Sequence, residues 1–236
     1  MVKVAGSALG IGKTLMSIEK IHLRKLLRLF YADERERRRL LVADIGSDRN
    51  KEQNGGGDGG DFHGPFWADA KDHVAGKLDL REQSKVRVGS NKARARLYPL
   101  LTEGFLSLWN EKIRWRNEKF ETYPISIKAA LPIEELNATV KIENVVAVKI
   151  PDGSSRIVYP YFSETPALPI EGARLGLWAL KEALTDFRTD DFRIVDVLRH
   201  SYFRPTEIPT QGNERELFVQ KYGDALKEWR KLRGEP

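Results

Sequence analysis

Hydrophobic and polar positions alternate most regularly from Thr139 to Pro151 (TVKIENVVAVKIP). Val140, Ile142, Val146, Val148 and Ile150 are apolar and Lys141, Glu143 and Lys149 stand between them, the period-two pattern of a half-buried strand. Asp152-Gly153 follows, and glycine there supplies the positive φ of a tight hairpin turn. Arg156 to Phe162 (RIVYPYF) is rich in β-branched and aromatic residues, so the two runs are expected to pair antiparallel. Pro160 cannot donate to a ladder and predicts a bulge or a free side at that point. Two prolines make Thr165 to Pro169 a loop. Ala173, Leu177, Leu180 and Leu184, with Trp178 beside them, then recur at helical spacing and predict a helix over Glu171 to Leu184. Arg193 to Leu198 returns as a mostly apolar strand inside the sheet, parallel to one of the earlier strands.

Elsewhere the pattern predicts mostly helix. Ile18, Leu23, Leu26, Leu27 and Phe30 give the segment from Leu15 to about Leu40 one apolar face, with no proline or glycine to interrupt it. Its charged half, Asp33 to Arg39, interleaves Asp33, Glu34 and Glu36 with Arg35, Arg37, Arg38 and Arg39, and reads as a solvated face with local ion pairs. Ser47 to Gly60 has no apolar residue to bury and reads as an exposed loop, the clearest break in the chain. A further helix is expected from Asn91 or Lys92 to about Lys119, bent at Pro99 and Gly104 and buried on Leu97, Leu101, Phe105 and Leu108. Tyr123 to Asn137 reads as a connector with one strand at Ile125 to Ala129, and Arg199 to Gln211 as an extended crossing. Asn213 to Arg233 closes the chain as an amphipathic helix, capped by Asn213 with Glu216 in capping-box position.

These elements give an α/β (α+β) fold: an N-terminal helical part, then a small mixed sheet with a hairpin-helix-strand core, then a C-terminal helix. Residues 1–60 form a helical arm and Gly-rich loop, and residues 61–236 an α/β domain, helical over 61–120 and built on the sheet over 121–236.

The order of elements in residues 139–198 resembles the core of the PD-(D/E)xK nuclease superfamily, in which a hairpin carries metal-binding acids and a lysine and is followed by a helix and a strand. The likeness is one of pattern over roughly sixty residues. Where the family has its acid and lysine on the second hairpin strand, this chain has Tyr161 and Ser163, and the first acid falls at Asn144 or at Asp152 in the turn. The resemblance therefore implies an inactive nuclease-like core without the carboxylates that Mg²⁺ favours. An ordinary α/β unit of another family fits the same pattern.

Composition narrows the partners. Forty Lys and Arg against 34 Asp and Glu leave a net charge of +6, which raises the expectation of nucleic acid as a partner because cation contacts to phosphate release counterions. No apolar run approaches the roughly 20 residues that cross a bilayer, and no secretory signal is apparent, so no membrane partner is expected. With no cysteine, thiolate metal sites are excluded, and a cytoplasmic, bacterial-type protein is the simplest reading.

Candidate chemistry is scattered. Gly12-Lys13-Thr14 after a short apolar run resembles the end of a phosphate-binding P-loop, although Ser7 stands where the pattern wants glycine, and Leu40 to Asp44 resembles a Walker-B strand end. Asp61, His63, Asp69, Asp72 and His73 are metal-ligating types without a recognised spacing, beside Phe62, Phe66 and Trp67, which are expected to anchor a core. Lys85, Arg87, Lys92, Arg94 and Arg96 form the densest charge without an acid among them. Lys112, Arg114, Trp115 and Arg116 interleave cations with an aromatic, which suits stacking on single-stranded bases; packing of Trp109 and Trp115 inside fits equally. In an active nuclease Glu143, Asp152, Glu164 and Lys149 would be the residues to suspect, since two acids and a lysine could hold Mg²⁺ and activate water.

Three functions follow. The favoured one is a non-catalytic, nucleic-acid-binding accessory protein of a bacterial or mobile-element DNA- or RNA-processing assembly, without a cofactor and with other protein subunits as partners. The second is an enzyme, a metal-dependent nuclease or a P-loop nucleotide hydrolase needing Mg²⁺. The third is a protein–protein adaptor with a basic surface.

Overall fold

The computed structural model describes residues 18–54, 61–110 and 119–234. It has α+β architecture with two mixed sheets and a C-terminal helix. Strand β1 (Lys20–His22) pairs in parallel with β4 (Ala138–Ile142), which pairs antiparallel with β3 (Ala129–Ile133). The second sheet has the order β2 (Glu121–Thr122), β5 (Val146–Lys149), β6 (Ser155–Tyr161), β7 (Phe192–Asp196), β8 (Ser201–Phe203). Only β6 and β7 are parallel in it, joined by helix α6 (Ile170–Ala183).

The β5–β6 hairpin forms as its residues predict. Gly153 has φ +86 and donates to the Ile150 carbonyl, and Asp152 Oδ1 accepts from the Ser154 amide at 2.7 Å. The β5 ladder ends at Val158, two residues before Pro160, so the strand has the free side that a strand proline needs. The longer alternating run does not form one strand. Asn144 turns the chain at φ +63, and the run divides into β4 and β5, which belong to different sheets. Periodicity survives this division because both halves bury one face.

The N-terminal segment is also divided differently from the expectation. Lys20 to His22 is extended, α1 (Leu23–Tyr31) follows, and Ala32 at ψ 140 ends it. Asp33 Oδ1 then accepts from the Glu36 amide at 2.8 Å and starts α2 (Glu34–Asn54). That helix carries through most of the expected loop, so the break at Ser47 is not observed; residues 55–60 lie outside the described ones. Buried Asp48 and Ile45 tie its second half to the body of the protein.

Helices α3 (Gly64–Val74), α4 (Leu80–Ser90) and α5 (Leu97–Leu108) follow. In place of one bent helix from Asn91 there is a 3₁₀ turn over Lys92–Arg94 and then α5. Pro99 sits in the first turn of α5, where its missing N–H costs nothing. Gly104 marks a close approach: a Cβ there would stand 1.9 Å from the Val197 carbonyl oxygen. The expected strand at Ile125 to Ala129 is displaced to β2 and β3 on either side.

Both faces of the five-stranded sheet are covered. Ile157, Tyr159 and Tyr161 of β6 and Phe192 and Ile194 of β7 join a core with α1, α6, the three-stranded sheet and α7 (Glu214–Arg233). Val158 and Val195 join a second core with Phe66, Trp67, Leu101 and Phe105 of α3 and α5. Two-faced burial explains why β7 reads as a mostly apolar run. At the start of α7, Asn213 makes no side-chain cap. Glu214 instead accepts from the Gln211 and Gly212 amides at 2.6 and 3.1 Å and pairs with buried Arg174 of α6 at 3.1 Å. No helix among the described residues is long and apolar enough to cross a membrane.

Candidate nucleic-acid interface

The basic stretch from Lys85 to Arg96 meets acids brought from elsewhere in the chain. Arg87 on α4 grips Asp69 on α3 through two bonds of 2.8 Å, Lys85 reaches Glu82 at 2.8 Å, and Arg96 forks onto Glu164. These contacts raise the basicity of Arg87 and hold the Glu164 carboxyl below its usual range, chiefly through the hydrogen bond from Arg96. Arg94 lies over the Tyr98 ring at 5.4 Å, and Lys92 is exposed. The stretch without an acid in sequence is thus largely neutralised in space. Lys112, Arg114, Trp115 and Arg116, and likewise Gly12, Lys13 and Thr14, lie outside the described residues.

The catalytic candidates are dispersed. Asp152 and Lys149 stand at one end of β6 and Glu164 beyond the other, separated by seven strand residues or roughly 20 Å. Glu143 follows β4 in the other sheet, 4.0 Å from His22 Nδ1. Burial lowers the His22 pKa, so this contact is not an ion pair at neutral pH. Tyr161 and Ser163, at the family's acid and lysine positions, donate to the carbonyls of Pro166 and Thr165 at 2.9 and 2.7 Å.

Asp44 sits within α2, not at a strand end, and its carboxylate is bound by Lys25. Among the metal-ligating types, Asp61 pairs with Arg24, Asp69 with Arg87 and Asp72 with Lys77. His63 stacks on Phe162 with ring centres 5.0 Å apart, and His73 Nδ1 accepts from the Leu80 amide at 3.3 Å. No group of three His, Asp or Glu suited to a metal ion occurs among the described residues. The aromatic anchors behave as expected, with Phe66 and Trp67 each 1% exposed.

A basic surface that spacing did not reveal lies between α2 and α7. A groove of about 570 Å³ is lined by Glu34, Arg37 and Arg38 of α2 and by Lys227, Glu228, Lys231 and Leu232 of α7. Arg37 bridges the helices to Glu228 at 2.7 Å, and Arg39 turns back to Glu36. Arg38 and Lys231 make no ion pair among the described residues, and Lys227 approaches only Asp224, at 3.7 Å. Of the interleaved acids, Glu36 is spent on Arg28 and Arg39 and Asp33 on the start of α2, while Arg38 is left on the groove beside Glu34. Lys227 and Lys231, one helical turn apart, are the signal within α7 that would have pointed here.

Comparison of the chain with protein-family models, with curated proteins and with solved structures finds no match.

Proposed function

We propose that this protein is a non-catalytic nucleic-acid-binding protein that holds the phosphate backbone along the α2–α7 groove, beside other protein subunits of a DNA- or RNA-processing assembly. The observation that carries the reading is the convergence of Arg38, Lys227 and Lys231 on one groove with two acids, one of them bound by Arg37. Contacts of this kind bind polyanions without reading sequence. The non-catalytic part of the reading is supported by the separation of Asp152 and Lys149 from Glu164 along β6. The nuclease-like core belongs to the same proposal, supported by the order β5, β6, α6 and a parallel β7. The reading takes the cytoplasm as the working compartment, in line with a chain that uses no cysteine.

The test is fluorescence anisotropy with single- and double-stranded DNA and RNA across a salt series, Mg²⁺ present and products checked on a denaturing gel. Intact probe and a steep salt dependence are expected. Replacing Arg38, Lys227 and Lys231 together by alanine should reduce the slope of log K against log salt by about 3 on duplex DNA, close to 0.9 per phosphate contact. Cleavage of the probe, or an unchanged slope in the triple variant, would refute the reading.

A further inference from the structure

On the face of the five-stranded sheet that carries Val158 and Val195, three arginines gather at the end where β6 and β7 begin. Arg156 and Val158 are two apart on β6, Arg193 and Val195 two apart on β7, so both arginines share the valines' face. Val195 pairs with Tyr202 of β8, and Arg204 follows two residues later with its guanidinium 5.8 Å from the Tyr202 ring centre. Burial, then the charge of Arg156, and after it that of Arg204, hold Arg193 below its usual basicity.

Two of these cations, Arg156 and Arg193, lack the carboxylate partners that buried or half-buried arginines ordinarily have. Among the described residues no carboxylate lies within ion-pairing distance of Arg156 or Arg193, and Arg193 is only 8% exposed. Both hydrogen bonds of Arg193 leave from Nη1, to the carbonyls of Asp190 and Phe192. Both of Arg156 also leave from Nη1, to Ser154 Oγ and the Ser155 carbonyl at 3.3 and 3.0 Å. Arg204 pairs with Glu207 at 2.8 Å, yet its Nε is buried without a partner. Of the nearby aspartates, Asp190 gives Arg193 only its backbone carbonyl, and Asp191 and Asp152 are committed elsewhere. Asp191 accepts from the Ser155 and Arg188 amides, and Asp152 from the Ser154 amide in the exposed turn. Like charges in partly excluded solvent repel with little screening, and a bound anion removes that cost.

We propose that Arg156, Arg193 and Arg204 form a binding site for a phosphate group, separate from the α2–α7 groove. The free Nε and Nη2 edges of Arg156 and Arg193 supply planar donor pairs, the geometry that takes phosphate oxygens two at a time, and Arg204 adds its unpartnered Nε. The group is a terminal phosphate monoester, carried by a strand end or by a free nucleotide.

Thermal unfolding and titration calorimetry of the full chain test this, with inorganic phosphate and a nucleoside 5′-monophosphate at ionic strength held constant with chloride. The expected result is a phosphate-specific rise in melting temperature that disappears in Arg156→Ala and in Arg204→Ala, with affinity lower by about tenfold or more in each. The ligand-free melting temperature of Arg156→Ala should be unchanged or higher, because a repulsive neighbour is gone. No rise beyond that in chloride, or a rise retained in both variants, would overturn the site. A 5′-phosphorylated oligonucleotide binding more tightly than its 5′-hydroxyl counterpart identifies a strand end. Equal binding of the two oligonucleotides, with tight binding of the mononucleotide, identifies a free nucleotide. Arg38→Ala should leave the phosphate effect intact, which separates this site from the groove.

Discussion

Two ends of one sheet both collect arginines, and they use them in opposite ways. Beyond the carboxyl ends of β6 and β7, Arg28 donates to the Thr165 carbonyl at 3.1 Å, Arg199 to the carbonyls of Ser163 and Glu164, and Arg96 forks onto the Glu164 carboxylate. Arg24 pairs with Asp61 at the same end. Every one of these guanidiniums fixes the 162–169 loop or its surroundings. At the opposite end, Arg156 and Arg193 have carbonyl and hydroxyl contacts but no carboxylate. In open α/β sheets the crevice at the carboxyl ends of parallel strands is the usual ligand site. Here that end has its cations spent on the fold, and the amino end keeps cations that can still bind. The number of arginines does not identify an anion site; the partners they already have do.

The contrast can be broken by substitution. The largest effect is expected from Gly104→Ala, which drives a methyl to 1.9 Å from the Val197 carbonyl oxygen just after β7. Backbone stands on both sides of this contact, so urea unfolding should show a loss of about 3 kcal/mol or more, or no folded protein.

Next comes the pH dependence of the carboxyl end. Burial, the dominant cause, pushes the His63 pKa down from 6.5 to about 4. The unfolded chain therefore takes up this proton first, and stability from this residue is complete above about pH 6.5 and lost as pH falls towards 4. A loss on the order of 2–3 kcal/mol is expected across that window. His63→Phe, which keeps a ring against Phe162, should flatten that part of a pH series of urea unfolding curves.

The smallest effects compare the two ends directly. Arg199→Ala strips the Ser163 and Glu164 carbonyls of their donor and leaves Asp196, a carboxylate 1% exposed, without its guanidinium partner, for a cost of about 2 kcal/mol. Arg156→Ala should change stability by no more than about 0.5 kcal/mol. Equal losses in the two variants would erase the distinction between structural and available arginines.

Much of the local structure was legible because it rests on short-range rules. Asp152-Gly153 makes its turn whatever surrounds it, α6 follows its leucine spacing, and α7 keeps Phe218, Tyr222, Leu226 and Trp229 buried on one side. The candidate sites were much less legible. An ion pair such as Arg87–Asp69 joins residues 18 apart, and Arg96–Glu164 joins residues 68 apart. Counting charges within a window cannot find such partners. The division at Asn144 was hidden for a related reason: alternation reports that a face is buried, not which sheet buries it.

The sequence by itself determined the α+β class, the β5–β6 hairpin, the central helix, the strand after it and the amphipathic final helix, because backbone propensity and hydrophobic period act over a few residues. Only the tertiary structure decided that Ile21 and Val140 are neighbours across two paired strands, and that α2 and α7 enclose a groove. It also decided which arginines are neutralised and which are left beside one another. Electrostatic partners are chosen by distance in space, and the folded chain sets that distance through contacts between residues far apart in sequence.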